Sequence, residues 1–188
     1  MAVMNSLQYQ IQNPKVRAVV RECLHSIGEW GLTVPHHQKI YWKMEEMDAF
    51  GRCTWRTAVG GEPVIIISLN KGLETQTVDV IKDTVFHELA HAVAGFEKGH
   101  GAKWKKAVGV IRKHTNLPLL VKGNAKDVTE EFWTHGGYKY VLKCQKCGQT
   151  VGFNELNKIV KHPDEWDAKH NCRRFTHKDC GGSWERIK

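Results

Sequence analysis

The spacing of apolar residues at the start of the chain predicts a helix followed by a small sheet. Asn13 and Pro14 are typical of a helix start, because Asn caps free N–H groups and Pro suits the first turn. Apolar residues then recur every three or four positions until Gly31, which indicates one buried helix face. They are Val16, Val19, Val20, Cys23, Leu24 and Ile27. Three β-prone runs then predict short strands at residues 40–42, 53–55 and 64–67.

A helical period returns in the middle of the chain. Apolar residues predict a helix over residues 78–95 and a second one over 102–114. Residues 127–133 are expected to form a short helix, and residues 138–142 a strand. Two acidic residues before Trp166 are typical of another helix start. Helices and short strands in separate stretches predict an α+β fold.

Length and composition indicate a globular chain with two parts. Of the 188 residues, 41% are hydrophobic and 26% charged, which allows one sizeable core and a small second unit. The character of the sequence changes near residue 137, so we predict domains at 1–137 and 138–188. The N-terminal residues lack the pattern of a signal peptide, and the apolar run 64–69 is too short to span a membrane. We therefore expect a soluble, cytoplasmic protein with no membrane partner.

Positive charge is concentrated in the second half of the chain. Residues 1–100 carry 10 Lys or Arg against 11 Asp or Glu, whereas residues 101–188 carry 18 against 9. Such asymmetry favours a polyanionic partner, usually nucleic acid, although a merely solvated surface is the alternative. Aromatic and basic residues mix in the tail, which is consistent either with stacking on single-stranded bases or with internal packing. They are Trp166, Arg173, Arg174, Phe175, Trp184 and Arg186.

The segment His87-Glu88-Leu89-Ala90-His91 predicts a metal site inside the central helix. Residues four apart lie on one helix face, roughly 6 Å apart along the axis, so two imidazoles can converge on one zinc. Glu88 lies beside them and can accept a proton from a water that attacks an amide carbonyl. His100 is the expected third ligand, because flanking glycines let the chain turn back toward the metal. The alternative is an accidental spacing of unrelated histidines.

A second metal site is predicted in the cysteine-rich tail. Cys144 and Cys147 form a C-x-x-C pair, and His177 and Cys180 repeat its spacing after a gap of 29 residues. Without an export signal the thiols stay reduced, so the pattern favours a structural zinc over disulfides. Cys172, or His170 with weaker support, could take the place of His177. The alternative is a metal-free tail, which would have few apolar residues to stabilise it.

The region around the central helix resembles the SprT-like metalloproteases, which include the Spartan DNA–protein crosslink proteases. The similarity rests on H-E-L-A-H-A followed by Gly99-His100-Gly101 and Trp104. Segments GRCTWR and IIISLN are similar to strands of that family, and residues 138–182 are similar to its C-terminal zinc ribbon, with His177 where the family usually has Cys. The resemblance implies a zincin-like domain with catalytic zinc on His87, His91 and His100, and Glu88 as base. It also implies DNA-associated proteolysis.

We therefore expect a zinc endopeptidase with one catalytic and one structural zinc. Its substrates would be proteins bound or crosslinked to DNA, which links the expected activity to DNA repair. DNA binding is expected to be non-specific or to favour single strands, because nothing resembles a groove-reading helix. A non-catalytic, zinc-containing nucleic-acid-binding protein and a zinc hydrolase of non-peptide substrates are the alternatives.

Overall fold

The computed structural model describes most of the chain. The described residues are 11–34, 39–57, 61, 63–95, 99–120, 128–167, 172–173 and 175–188. Helix α1 runs over Pro14–Glu29, where the Asn13 side chain accepts a hydrogen bond from the Val16 N–H at 3.1 Å. The predicted start and buried face of this helix are confirmed. Residues 96–98, which connect two of the predicted helices, lie outside the described residues.

A three-stranded sheet follows α1. Its strands are β1 (Ile40–Glu45), β2 (Gly51–Thr57) and β3 (Pro63–Asn70), in the order β1-β3-β2. The central strand β3 is parallel to β1 and antiparallel to β2, with Ile65 opposite Ile40 on one side and Trp55 on the other. Strand β3 carries most of the buried apolar side chains of the sheet, and β2 is left at its edge.

Asn70 ties the end of β3 to the loops around it. Its fully buried side chain accepts a hydrogen bond from the Gly72 N–H at 2.7 Å and donates to the carbonyls of Met47, Ala49 and Gly136. A 3-10 helix over Lys71–Thr75 follows immediately. The buried amide therefore fixes the loop that leads into β2.

Three helices complete the larger part of the molecule. They are α2 (Val78–Ala94), α3 (Ala102–His114) and α4 (Glu130–His135). Helix α2 packs against α1, α3 and the sheet, so it runs through the core and most of its side chains are buried. The helices predicted over 78–95 and 102–114 are confirmed. Residues 121–127 lie outside the described part, so only residues 128–133 of the predicted short helix can be compared, and α4 begins at Glu130.

The described residues of the tail form two small antiparallel sheets and one short helix. Strands β4 (Tyr140–Cys144), β5 (Thr150–Phe153) and β8 (Trp184–Arg186) form a sheet in the order β5-β4-β8. Helix α5 (Lys158–Lys161) is followed by β6 (Trp166–Asp167), which pairs with β7 (Cys172–Arg173). The helix start expected before Trp166 is wrong, since a turn there leads into a strand. The short helix forms earlier, where Asn157 caps the Val160 N–H at 3.0 Å.

Two apolar clusters underlie this arrangement, and together the elements confirm a mixed α+β fold with small sheets. The larger cluster extends from Ile11 to Val141 and includes Trp133 and Tyr138. The smaller one joins Leu142, Cys144 and Trp184. The predicted boundary at residue 137 lies close to where one cluster gives way to the other, and it stays a prediction. Within the described part of the chain, no helix combines the length and apolar character needed to cross a membrane.

Candidate metal centre and cavity

Helix α2 carries both histidines of the H-E-L-A-H segment. Thr77 caps its first turn, and the apolar period that predicted the helix lies in the core. His87 and His91 are one turn apart, with ring centroids separated by 5.1 Å. The helix ends at Gly95, where φ is 74°, a backbone conformation that favours glycine.

His100 lies beside these two histidines, just before α3 begins. Its ring centroid is 5.0 Å from that of His87 and 4.8 Å from that of His91. The Nε2 atoms of His100 and His87 are 3.1 Å apart, and potential ligand atoms of all three residues lie within 4.8 Å of one another. Tetrahedral zinc with bonds of 2.0–2.1 Å separates its ligand nitrogens by about 3.4 Å. The three imidazoles therefore fit one zinc ion.

Trp104 supports the three rings from α3. Its indole is buried, with ring centroids 5.0 Å from His87, 5.7 Å from His91 and 4.5 Å from His100. Its Nε1–H donates to the His87 backbone carbonyl at 3.3 Å. The tryptophan of the G-H-G-x-x-W segment thus packs on every member of the histidine cluster.

The surroundings keep the histidines neutral. Burial lowers the pKa of His87 to about 4, with further lowering by His91 and His100, and a hydrogen bond to the Leu120 backbone opposes the shift. Burial, followed by the charge of His100, lowers the pKa of His91 to about 4. Burial also lowers the pKa of His100. Since metals bind the unprotonated imidazole, the cluster presents its ligands in the required form at neutral pH.

Glu88 is buried and packs against strand β2. Its side chain is only 5% exposed, and a Cβ added at Gly51 would lie 2.8 Å from both its Cγ and Oε1. Burial raises the pKa of the carboxyl group to about 8, although the Cys53 backbone hydrogen bond and the Arg52 charge oppose the shift. The absence of a side chain at Gly51 therefore leaves the space that the Glu88 carboxyl group fills.

A cavity of about 410 Å³ opens beside His87 and Glu88. The loop before β2 forms one wall, α2 another, and aromatic side chains together with a residue of β5 form the rest. The lining includes Phe50, Asp83, Leu120, Trp133, Tyr138 and Gly152. The cavity therefore has walls from both the larger part of the molecule and the tail.

These cavity walls were not predicted. They come from residues distant in sequence, and no local pattern identifies Gly152 or Leu120 as their neighbours. Gly152 fits there because any Cβ would lie 2.6 Å from Trp133 Cε3 and 2.7 Å from Tyr138. This close packing of Gly152 on Trp133 and Tyr138 makes β5 part of the cavity wall.

The chain was also compared with known protein families, curated proteins and solved structures. A family model described as SprT-like matches residues 20–123, which is more than half of the chain. The chain belongs to the SprT-like family. No match was found among curated proteins or among solved structures. The matched segment of this SprT-like chain contains the sheet, α2, α3 and all three histidines, whereas the tail lies beyond it.

The tail of the SprT-like chain contains a second cluster of possible metal ligands. Ligand atoms of Cys144, Cys147, His177 and Cys180 lie within 4.8 Å of one another. His177 Nδ1 is 3.3 Å from the Cys147 sulfur and 3.1 Å from the Cys180 sulfur, and the Cys144 and Cys180 sulfurs are 3.5 Å apart. Three thiolates and one imidazole are a common donor set for structural zinc.

Two similar turns build this four-residue cluster. Gly148 and Gly181 have φ values of 76° and 68°, and each follows the second member of its ligand pair. The Gly148 N–H donates to the Cys144 carbonyl at 2.9 Å, and the Gly181 N–H donates to the His177 carbonyl at 2.7 Å. The two ligand pairs, which have the same spacing in sequence, therefore lie in turns of the same kind.

His177 is held in place from its other side. Its Nε2 lies 3.6 Å from the Asp179 carboxylate, while its Nδ1 faces the sulfurs. A carboxylate on the second nitrogen is a frequent partner of metal-binding histidines. The backbone of Cys172 pairs with β6, but its side chain, like all of His170, lies outside the described residues. The choice between His177 and Cys172 therefore stays a prediction.

Proposed function

We propose that this SprT-like protein is a zinc-dependent endopeptidase that hydrolyses DNA-associated or DNA-crosslinked proteins. The proposal is carried by the convergence of His87, His91 and His100 beside the buried carboxyl group of Glu88. Family membership indicates a metallopeptidase-like domain. We further infer that this domain is zincin-like and that the tail is a zinc ribbon, with one catalytic and one structural zinc.

The donor set supports zinc at the three-histidine cluster. Neutral imidazole nitrogens suit zinc, and three protein ligands leave a coordination position for water or substrate. Zinc bound there would polarise the scissile carbonyl group and acidify water at the site. Among the described residues, the histidine group has three members whereas the tail group has four.

Glu88 is the proposed base and acid of the reaction. It follows His87 directly and lines the same cavity. A zinc cation held by the histidines would lower the raised pKa of Glu88, and the resulting carboxylate can take a proton from the attacking water. The same carboxyl group can then return that proton to the leaving amine. The backbone of β2 holds the carboxyl group through Cys53 and the space at Gly51. Backbone groups of β2 thereby orient Glu88.

Strand β2 also supports a peptide as the substrate. It lies at the edge of the three-stranded sheet and borders the cavity at Gly51. An exposed sheet edge can bind an extended peptide by adding it as a further strand. Main-chain pairing of this kind carries no sequence preference, which suits an enzyme that acts on varied proteins.

Exposed cations support the DNA association. Three lysines are exposed in the first two turns of α3, close to His100 in sequence. They are Lys103, Lys105 and Lys106. Phosphate contacts by such residues give affinity that depends strongly on salt. Base stacking receives less support, because Trp184 is buried at 8% exposure in the small core and Phe175 packs against that core. We therefore base the proposed DNA binding on charge.

The test measures cleavage of a DNA-binding protein by the zinc-loaded chain in the presence and absence of single-stranded DNA. The Glu88→Gln variant is the inactive control. We expect two zinc ions per chain and cleavage that DNA accelerates. Cleavage that DNA never alters would leave a general endopeptidase. Hydrolysis of small amides without cleavage of proteins would identify a non-peptidase hydrolase. Zinc and DNA binding without hydrolysis would instead indicate a non-catalytic nucleic-acid-binding protein.

A further inference from the structure

The segment that follows α3 holds an unusual backbone conformation beside the cavity. Leu119 has a φ of 42°, and among the described residues it is the one with a side chain in the left-handed region. Leucine rarely adopts this conformation, so contacts around it must impose it. The Leu119 side chain is almost fully buried, whereas Leu120 beside it is exposed and lines the cavity.

Two charged side chains hold this segment in place. The Asp83 carboxylate on α2 accepts a hydrogen bond from the Leu119 N–H at 2.7 Å. The Arg112 guanidinium on α3 donates to the carbonyls of Pro118 and Leu119, the latter at 3.1 Å. The segment is therefore clamped between the two helices that flank the histidine cluster.

The clamped segment contacts a proposed zinc ligand directly. The Leu120 backbone forms a hydrogen bond with the ring of His87, and a ring N–H can donate only to the Leu120 carbonyl oxygen. His87 Nε2 faces His100, which leaves Nδ1 to donate to Leu120. Metal-binding histidines usually donate their second N–H to such a carbonyl, which fixes the tautomer and the ring orientation.

We infer that Asp83 is a positioning residue for His87, acting through the backbone of Leu119 and Leu120. Asp83 lies one helical turn before His87, so the two ends of this connection belong to the same rigid helix. Arg112 on α3 donates to the same backbone segment and so helps to hold it in place. The inference rests on the proposed zinc site at His87, His91 and His100.

The experiment measures zinc affinity at the histidine cluster in the full-length chain. A chelator of known affinity is titrated while native mass spectrometry counts zinc, and maleimide reactivity of the tail thiols reports the other site. The variants are Asp83→Ala, which removes the acceptor, Asp83→Asn, which keeps an acceptor oxygen, and Arg112→Gln. Exposed residues of α2 and α1 provide matched controls, Asp79→Ala and Arg17→Gln.

We expect Asp83→Ala to weaken zinc binding at the histidine cluster about 10-fold, at the lower end of the effect of outer partners of metal ligands. Asp83→Asn should recover most of the loss, Arg112→Gln should show a smaller loss, and the controls none. The ¹³C shifts of the His87 ring should show mixed tautomers in Asp83→Ala. The tail should keep its zinc in every variant.

Several results would overturn the inference. Zinc binding in Asp83→Ala as tight as in Asp79→Ala, with only KM raised, would make Asp83 a substrate-binding residue. Equal zinc loss from both sites together with unfolding would make it merely structural. If Asp83→Ala does not fold, zinc affinity in Arg112→Gln equal to that in Arg17→Gln would be decisive against the inference. Absence of zinc at the wild-type histidine cluster would instead overturn the proposed function.

Discussion

The two candidate metal clusters differ in the number and the chemistry of their ligands. Three histidines form the first, whereas three cysteines and one histidine form the second. Three neutral ligands leave zinc a net positive charge and a free coordination position, which suits a catalytic site. Three thiolates more than neutralise a zinc ion, and four ligands close its coordination sphere, which suits a structural site. The same metal can therefore serve two purposes in one chain.

The surroundings of the two clusters differ in the same sense. The cavity of about 410 Å³ meets His87 and Glu88, so a substrate can reach the first cluster from one side. At the second cluster the Gly182 backbone packs so closely on the Cys144 sulfur that an added Cβ would lie 2.5 Å from it. The open volume that a reaction requires therefore lies next to the first cluster.

Replacing the proposed base is the change with the largest expected effect. Glu88→Gln keeps the shape of the side chain but removes the group that accepts a proton, so cleavage should fall by roughly 10²–10⁴-fold. The zinc content should remain at two ions per chain, because Glu88 is not among the clustered ligands. Cleavage is measured on an unfolded protein and zinc by elemental analysis. Zinc loss along with activity would make Glu88 a ligand.

Removal of a tail ligand should affect folding of the tail. His177→Ala is expected to reduce the zinc content from two ions to one and to unfold the tail, because closed zinc sites supply folding free energy. Zinc analysis and the NMR signals of β4 and β8 measure the two effects. His162→Ala is the matched control, since His162 is exposed in the same region.

Cys172 provides the sharper comparison for the same cluster. Cys172→Ala should keep both zinc ions if His177 is the fourth ligand, as the distances from His177 Nδ1 to two sulfurs favour. The opposite pattern, with zinc lost in Cys172→Ala and kept in His177→Ala, would exchange the roles of the two residues.

Sequence patterns predicted most of the framework because local interactions decide it. The cap at Asn13 and the apolar spacing after it determine where α1 begins and which face is buried. The i, i+4 spacing of His87 and His91 suffices to place them on one helix face. His100 was found through its glycines, of which Gly99 has a φ of 66°. In each case, neighbours in sequence produce the geometry.

The remainder depends on contacts between distant residues. Asn70 bonds to Gly136, 66 positions later, and Asp83 to Leu119, 36 positions later. No local pattern specifies such pairs, and the positive φ of a leucine contradicts its own preference. Short tail strands such as β6 and β7 have too few residues to show a period, which is why a helix was expected before Trp166.

A substitution behind the proposed base has a smaller expected effect. In Gly51→Ala the new methyl group would lie 2.8 Å from the Glu88 Cγ, so the carboxyl group must move. Misplacement of a catalytic group by about 1 Å can reduce the rate up to roughly 100-fold, so we expect kcat to fall by about 10- to 100-fold. Zinc content should not change. Gly109→Ala on α3 is the control, because nothing lies within 4 Å of its added Cβ.

The smallest expected effect concerns DNA and tests the contrast in charge between the two halves of the chain. Lys105→Gln combined with Lys106→Gln removes two exposed cations from α3 close to His100. If both contact phosphates, the slope of log affinity against log salt for single-stranded DNA should become shallower by about 1.4. The double variant Arg17→Gln and Arg21→Gln removes the same charge from exposed positions of α1. Fluorescence anisotropy at several salt concentrations measures both slopes.

Equal slopes for the two double variants would show that net charge, and not the α3 surface, attracts DNA. A shallower slope in the α3 variant alone would place the nucleic acid beside the histidine cluster, where a bound protein substrate has to be cut.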